Sequence, residues 1–278
     1  MYSQSRNSEL KFVHITKTGG STIENIGKDN GIEWGMFDTV LLSHHKKQKK
    51  FFHTTYTDTL LKFGKSIWHV PLRSFNRYPY NDKVVLFTVV RNPYTRCISE
   101  YYCGYTGNKN VNASKEEFNR WLQYKLLVKH HVSFIPHSDY VFDADGSQIV
   151  KHIIRFENLT EEFNSLMVCY NLPCRLDRHD NKAKKTSKKY TIDDLDAYTI
   201  YLINQLYQKD FDNFGYQMIS VPTEKLNHKV LKSSILVLGS GTETTKNITK
   251  KNTRQFTIHK KVSKNKKMSG RDTRPRQR

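Results

Sequence analysis

The segment VVLFTVV, Val84 to Val90, constrains this chain more than any other. It is a continuous β-branched and aromatic run, and such a run belongs to a strand buried on both faces, the kind found at the centre of parallel sheets. It stops at Arg91-Asn92-Pro93, where the proline disfavours helical geometry at Asn92. The following YTRCISEYYCGY then places Ile98, Tyr101, Tyr102 and Tyr105 at helical spacing. The unit reads as strand, loop, helix.

A first unit of the same kind precedes it. KFVHI, residues 11–15, is a short strand-type run, KTGGST follows, and TIENIGKDNG supports a helix that ends at Gly31. Further along, Ser114 is an N-cap candidate for KEEFNRWLQYKLLVKHH, with acidic residues in its first turn. HIIRF (152–156) predicts a strand and NLTEEFNSLMVCY (158–170) a helix. TIDDLDAYTIYLINQLYQKDFDNF predicts one long amphipathic helix beginning near Thr191. Strands alternating with helices imply an α/β fold in three layers, a parallel sheet with helices on both faces. The loop LDRHDNKAKKTSKKY, residues 176–190, is basic and poor in apolar residues and interrupts this alternation.

The formal net charge of +20 is unevenly placed. Residues 221–278 hold 16 Lys and Arg against 3 Asp and Glu, so most of the excess belongs to the end of the chain. That segment lacks a sustained period, which divides the chain into a folded domain over residues 1–220 and a basic, largely disordered tail over 221–278. The tail can bind a polyanion, whether nucleic acid or sulfated glycan, through phosphate- or sulfate-directed electrostatics. A solvated tail with no specific partner is an equally open reading. No run approaches the length and apolarity of a membrane span, and the first ten residues are polar rather than a signal sequence, so the chain as given is expected to be soluble. The cysteines, Cys97, Cys103, Cys169 and Cys174, lack metal-ligand spacing, and no metal site is expected; Cys169 and Cys174 flank a proline turn and can bridge under oxidising conditions. Sequons at Asn112, Asn158 and Asn247 carry no weight, since such triplets arise often by chance.

A strand that feeds a glycine loop and a helix start is a ready anion site, because unpaired backbone N–H groups and the helix dipole favour negative charge there. In KTGGST, Gly19 and Gly20 let the backbone approach an anion, Ser21 and Thr22 add hydroxyls, and Lys17 adds a cation. The order differs from an ATP-binding P-loop, whose lysine follows its glycines. A tight turn with no ligand remains the alternative for this motif taken alone. In the second unit, Arg91 lies at the carboxyl end of the buried strand, where open α/β sheets bind ligands, and Ser99 follows on the next helix. A guanidinium offers paired hydrogen bonds to phosphate, so either Arg91 or Arg96 is the binder, unless they serve as structural ion pairs. Two anion sites on adjacent units imply a ligand with two separated anionic ends.

These residues carry a resemblance. FVHITKTGGST resembles the 5′-phosphosulfate loop of the sulfotransferases that use 3′-phosphoadenosine 5′-phosphosulfate (PAPS), and FTVVRNPYTRCISEYY resembles their 3′-phosphate motif, in the same order. IIRFENLTEEF and DFDNFGY are similar to later blocks of the Golgi carbohydrate sulfotransferases, the group that includes heparan sulfate 2-O-sulfotransferase. The resemblance implies the P-loop-like sulfotransferase fold, PAPS as co-substrate without a metal, and a hydroxyl acceptor on a carbohydrate. It implies that Lys17, Thr18, Gly19, Gly20, Ser21 and Thr22 cradle the 5′-phosphosulfate, with Lys17 also stabilising the departing oxygen. It further implies that Arg91 and Ser99 hold the 3′-phosphate, with Lys184, Lys185 and Thr186 of the basic loop folding near it. Thr16 stands where the related pattern has proline, which is expected to loosen the loop without removing a functional group.

The acceptor hydroxyl must lose a proton, a task that histidine suits. His53, in FFHTTYTDTL, resembles the catalytic histidine that follows the first helix in that family, and His69 is the second candidate. An ordinary partly buried histidine is the alternative reading of His53. His14 is expected to support the sheet, and Glu24 is expected to be less well placed for the role. Two rivals remain at this stage. A P-loop-type kinase using ATP would require a lysine after the glycines and carboxylates for Mg²⁺, neither evident here, and a nucleic-acid-binding protein would act through its tail.

Overall fold

The computed structural model describes residues 9–47, 67–74, 79–104, 107, 108, 110, 112–128, 132–177 and 190–222. All of these lie in Met1–Lys225, the first of the two units into which the chain divides, the second being Leu226–Arg278. The described residues form an α/β fold around three parallel strands, β1 (Glu9–Val13), β2 (Val84–Val90) and β3 (His152–Arg155), in the order β1-β2-β3. Phe12 of β1 pairs with Phe87 of β2, which pairs in turn with His152 of β3. The apolar run Val84–Val90 is the central strand, as its composition requires.

Alternate residues of β2 enter two different apolar clusters, the consequence of a two-residue side-chain period. Phe87 and Val89 pack with Phe12, Ile23, Trp34, Ile154 and Phe163. Leu86 and Val90 pack with Val13, Tyr94, Phe118, Leu122 and Ile203. The polar residue within β2, Thr88, is fully buried and donates its hydroxyl to Val13 O at 2.7 Å, so nothing polar there is left unmet.

The helices are α1 (Gly20–Asp29), α2 (Thr39–Lys47), α3 (Pro93–Tyr101), α4 (Lys115–Val128), α5 (Ser138–Val141), α6 (Leu159–Cys169), α7 (Ala197–Leu206) and α8 (Gln208–Phe214). Local chemistry sets the starts of α3 and α4. Asn92 adopts φ −50, ψ 125 and accepts from Tyr94 N at 2.9 Å and Thr95 N at 3.5 Å, with Pro93 as the first helical residue. Ahead of α4, Glu117 N donates to Ser114 Oγ at 3.2 Å and Ser114 N donates to Glu117 Oε2 at 2.9 Å, a reciprocal capping box.

The single long helix expected from Thr191 is instead three pieces. A 3-10 turn at Ile192–Asp194 closes its own capping box with Thr191, and Leu195 is then extended. Asp196 starts α7 by accepting from Thr199 N at 2.7 Å, and Tyr207 separates α7 from α8. Two N-capping sequences five residues apart stop one helix from running through both, because each side chain bonds its own backbone outside helical geometry. Cys169 and Cys174 are not joined by a disulfide in the structure, and burial pushes the Cys174 thiol up to about 11. Among the described residues, no helix is long and apolar enough to cross a membrane.

Candidate anion-binding site

β1 delivers the chain into a turn that holds two residues in the left-handed region, Lys17 at φ 67 and Gly19 at φ 83. Gly19 is the N-cap of α1, and its carbonyl accepts from Thr22 N at 3.0 Å. The positive end of the α1 dipole therefore lies at this turn. Gly19 is required twice over: its φ is costly for any other residue, and a β-carbon there would sit 3.0 Å from Leu159 Cδ2. The side chains of the expected cradle divide. Lys17 and Ser21 are half-buried, whereas Thr18 is fully buried and spends its hydroxyl on Ile15 O at 2.7 Å, and Thr22 is buried. Thr18 can thus serve an anion only through its backbone.

The two arginines have distinct positions. Arg96 is 1% exposed and fully committed: Nε donates to Thr16 O at 3.2 Å, Nη2 to Thr16 Oγ1 at 3.3 Å and Nη1 to Ile135 O at 2.8 Å. It braces the approach to the glycine turn. The Thr16 hydroxyl thus supplies an anchor that proline lacks. Arg91 is only half-buried, and its Nη1 donates to Lys17 O at 3.0 Å while Nε donates to Thr95 Oγ1 at 3.0 Å. Its guanidinium lies 4.1 Å above the Phe156 ring, and Nη2 has no hydrogen-bond partner among the described residues. Burial draws the guanidinium down to about 10, so it stays cationic at neutral pH while lacking part of its hydration. A desolvated cation with an open N–H edge suits an anion. Ser99 lies one helical turn beyond Thr95 on the same face of α3 and is half-buried.

The third βα unit borders the same edge, and sequence reasoning gave Phe156 and Glu157 no role there. Beyond β3, Phe156 packs under both Gly19 and Arg91. Glu157 accepts from Asn92 N at 3.0 Å and from Tyr216 OH at 2.9 Å, which ties the strand ends together. The signal was available: these residues follow a strand at the same carboxyl edge as Arg91. A second omission is a buried pair beside the turn. His14 Nδ1 lies 2.7 Å from Glu24 Oε1, and the His14 ring packs edge-on against the ring of His69, with centroids 4.4 Å apart. His14 lies just past β1 and does not act as a simple support for the sheet, because its ring fills the space beside Gly20.

His53 and the trio Lys184, Lys185 and Thr186 lie outside the described residues. Among the described residues, no group of His, Cys, Asp or Glu converges in a way that could hold a metal ion.

A parallel sheet whose carboxyl ends join a glycine turn at a helix N-terminus to a half-buried arginine gathers groups suited to an anion. The chain matches the sulfotransferase family over residues 2–217 and belongs to it, an enzyme family that transfers sulfate. No curated protein and no solved structure matches the chain.

Proposed function

We propose that this sulfotransferase takes its sulfuryl group from PAPS and delivers it to a hydroxyl of a carbohydrate, on the three-layer, P-loop-like fold of the Golgi carbohydrate enzymes. The observation that supports the donor assignment is the hydrogen bond from Arg91 Nη1 to Lys17 O, which joins the glycine turn to the end of the arginine strand. PAPS has two anionic ends, a 5′-phosphosulfate and a 3′-phosphate, and supplies the sulfuryl group. The turn amides, Lys17 and Ser21 hold the first end, and the open edge of Arg91 with Ser99 holds the second. Lys17 places its charge where negative charge develops on the departing oxygen. The resemblance of the basic loop assigns Lys184, Lys185 and Thr186 to the 3′-phosphate as well.

A histidine accepts the proton of the acceptor hydroxyl. His53 is supported by its sequence context. A position beside the glycine turn, through His14, supports His69. The carbohydrate class of the acceptor rests on IIRFENLTEEF and DFDNFGY, and the basic tail offers a polyanionic glycan a further holding surface.

Calorimetry with 3′,5′-ADP, 5′-AMP and ATP tests the donor. 3′,5′-ADP should bind most tightly, and Arg91→Ala should remove about 1.5–3 kcal/mol of its advantage over 5′-AMP. Equal affinity for 3′,5′-ADP and 5′-AMP overturns the reading. A panel of glycans with labelled PAPS tests the acceptor, and transfer to none of them while a tyrosine peptide is sulfated would exclude carbohydrate.

A further inference from the structure

Beside the glycine turn lies a carboxylate–imidazole pair that the reading above does not use. Glu24 is 0% exposed and His14 is 5% exposed. Glu24 Oε1 accepts from Met36 N at 2.8 Å and lies 2.7 Å from His14 Nδ1, while Oε2 has no hydrogen-bond partner among the described residues. An oxygen that already accepts from the Met36 amide accepts from Nδ1–H as well, and the other ring nitrogen is Nε2. That nitrogen lies against Gly20.

The surroundings are shaped around this pair. A β-carbon on Gly20 would overlap His14 Cδ2 and Nε2, and one on Gly35 would lie 2.6 Å from Glu24 Cδ. His69 rests on the same imidazole, and its backbone carbonyl is pinned by Tyr140 OH at 2.7 Å. A carboxylate buried this completely is expensive, and apolar side chains of similar volume often stabilise a core as well or better. Stability alone is therefore a weak reason for the pair.

The geometry points to Glu24 and His14 as positioning residues that act through the Gly19–Gly20 turn and through His69, holding the anion cradle and the neighbouring histidine in one fixed relation. The carboxylate sets the imidazole, and the imidazole is the wedge against Gly20. The first-turn amides of α1 and the seat of His69 both depend on that wedge. This role rests on the donor reading above. The pair lies at the 5′ end of the site, so its loss should disturb transfer more than nucleotide binding, which retains Arg91.

Two variants and one wild-type measurement test the role. Glu24→Gln keeps the shape and an acceptor for Met36 N but removes the charge. His14→Phe keeps a ring beside Gly20 and His69 but removes the hydrogen bond. With native circular dichroism, each should bind 3′,5′-ADP within about fivefold of wild type and lose on the order of 10–100-fold in kcat, with KM for PAPS little changed. The double variant should be no slower than the slower single variant, because residues that act as a unit are not additive. A folded single variant that turns over within about twofold of wild type overturns the role, as does a double variant showing the product of the two losses.

Should either variant fail to fold, [15N]histidine spectra of the wild type decide. A ring whose protonated Nδ1 is hydrogen-bonded should shift when 3′,5′-ADP is added, and the absence of any such ring overturns the role. Wild-type protein that fails to bind 3′,5′-ADP overturns the donor reading and this role together. Normal wild-type binding with unaffected variants overturns this role alone.

Discussion

Gly20→Ala isolates the contact between the glycine turn and the imidazole behind it. Gly20 is the first residue of α1, and its φ lies outside the left-handed region, so the substitution meets no backbone strain. Alanine's helical preference alone would stabilise the protein by about 0.5–1 kcal/mol. Against this, the new methyl would overlap His14 Cδ2 and Nε2 and lie 2.8 Å from Cε1. The ring has little room to retreat. It is buried and bonded to Glu24, with the His69 centroid at 4.4 Å and that of Phe12 at 5.6 Å. Overpacking of this kind costs about 1–3 kcal/mol, and displacing the imidazole from a buried carboxylate adds about 1.5–3 kcal/mol. The unfavourable effects exceed the helical gain, so the expected net loss is roughly 1.5–5.5 kcal/mol. At about 2–4 °C per kcal/mol for a domain of this size, a loss of ~2 kcal/mol lowers Tm by about 4–8 °C. Thermal unfolding followed by circular dichroism reads this directly. Gly104→Ala is the control, since a β-carbon there meets nothing within 4 Å. A Gly20→Ala protein with wild-type or higher Tm and unchanged affinity for 3′,5′-ADP would refute the wedge.

Arg96→Lys should fail to rescue the protein despite retaining the charge, because one ammonium cannot reproduce three planar donors to Thr16 O, Thr16 Oγ1 and Ile135 O. A loss of about 2–4 kcal/mol in urea unfolding is expected, and a wild-type midpoint would show that the brace contributes nothing. His152 provides a pH test. Burial, with Lys151 nearby, holds its imidazole down at about 4, against an ordinary value near 6.5. Between those values the unfolded chain takes up a proton that the folded one refuses, so stability is complete above about 6.5 and falls as the pH drops towards 4. Urea midpoints at pH 7 and pH 5 should differ less in His152→Gln than in wild type, and equal differences would remove His152 from the acid response.

The sequence by itself determined the framework of this protein. Val84–Val90 could only be a strand buried on both faces, Pro93 forced the chain to leave it at Asn92, and Ser114 with Glu117 spelled out a helix start. Each is a local matter of composition, φ preference or capping, which a single stretch of chain carries in full. The positions of the glycine turn and of Arg91 at strand ends were legible for the same reason. The boundaries within 191–214 were not, because the apolar period continues through two caps that only a folded backbone makes visible.

Tertiary structure alone decided which partners the candidate site residues have. The sequence favoured Arg91, at the end of the strand, and left Arg96 as the alternative. Packing buries Arg96 against Thr16 and Ile135 and leaves Arg91 with an open edge over Phe156. Thr18 belongs to the same motif as Ser21, yet its hydroxyl turns inward to Ile15 O. His14, Glu24 and His69 are separated by as many as 55 positions and share no motif, but they meet beside Gly20. The physical reason is common to all of these. A residue's chemistry is local, but its burial, its partners and the free edge that it can offer a ligand are set by chain brought in from elsewhere, and parallel strands collect that chain at their carboxyl ends.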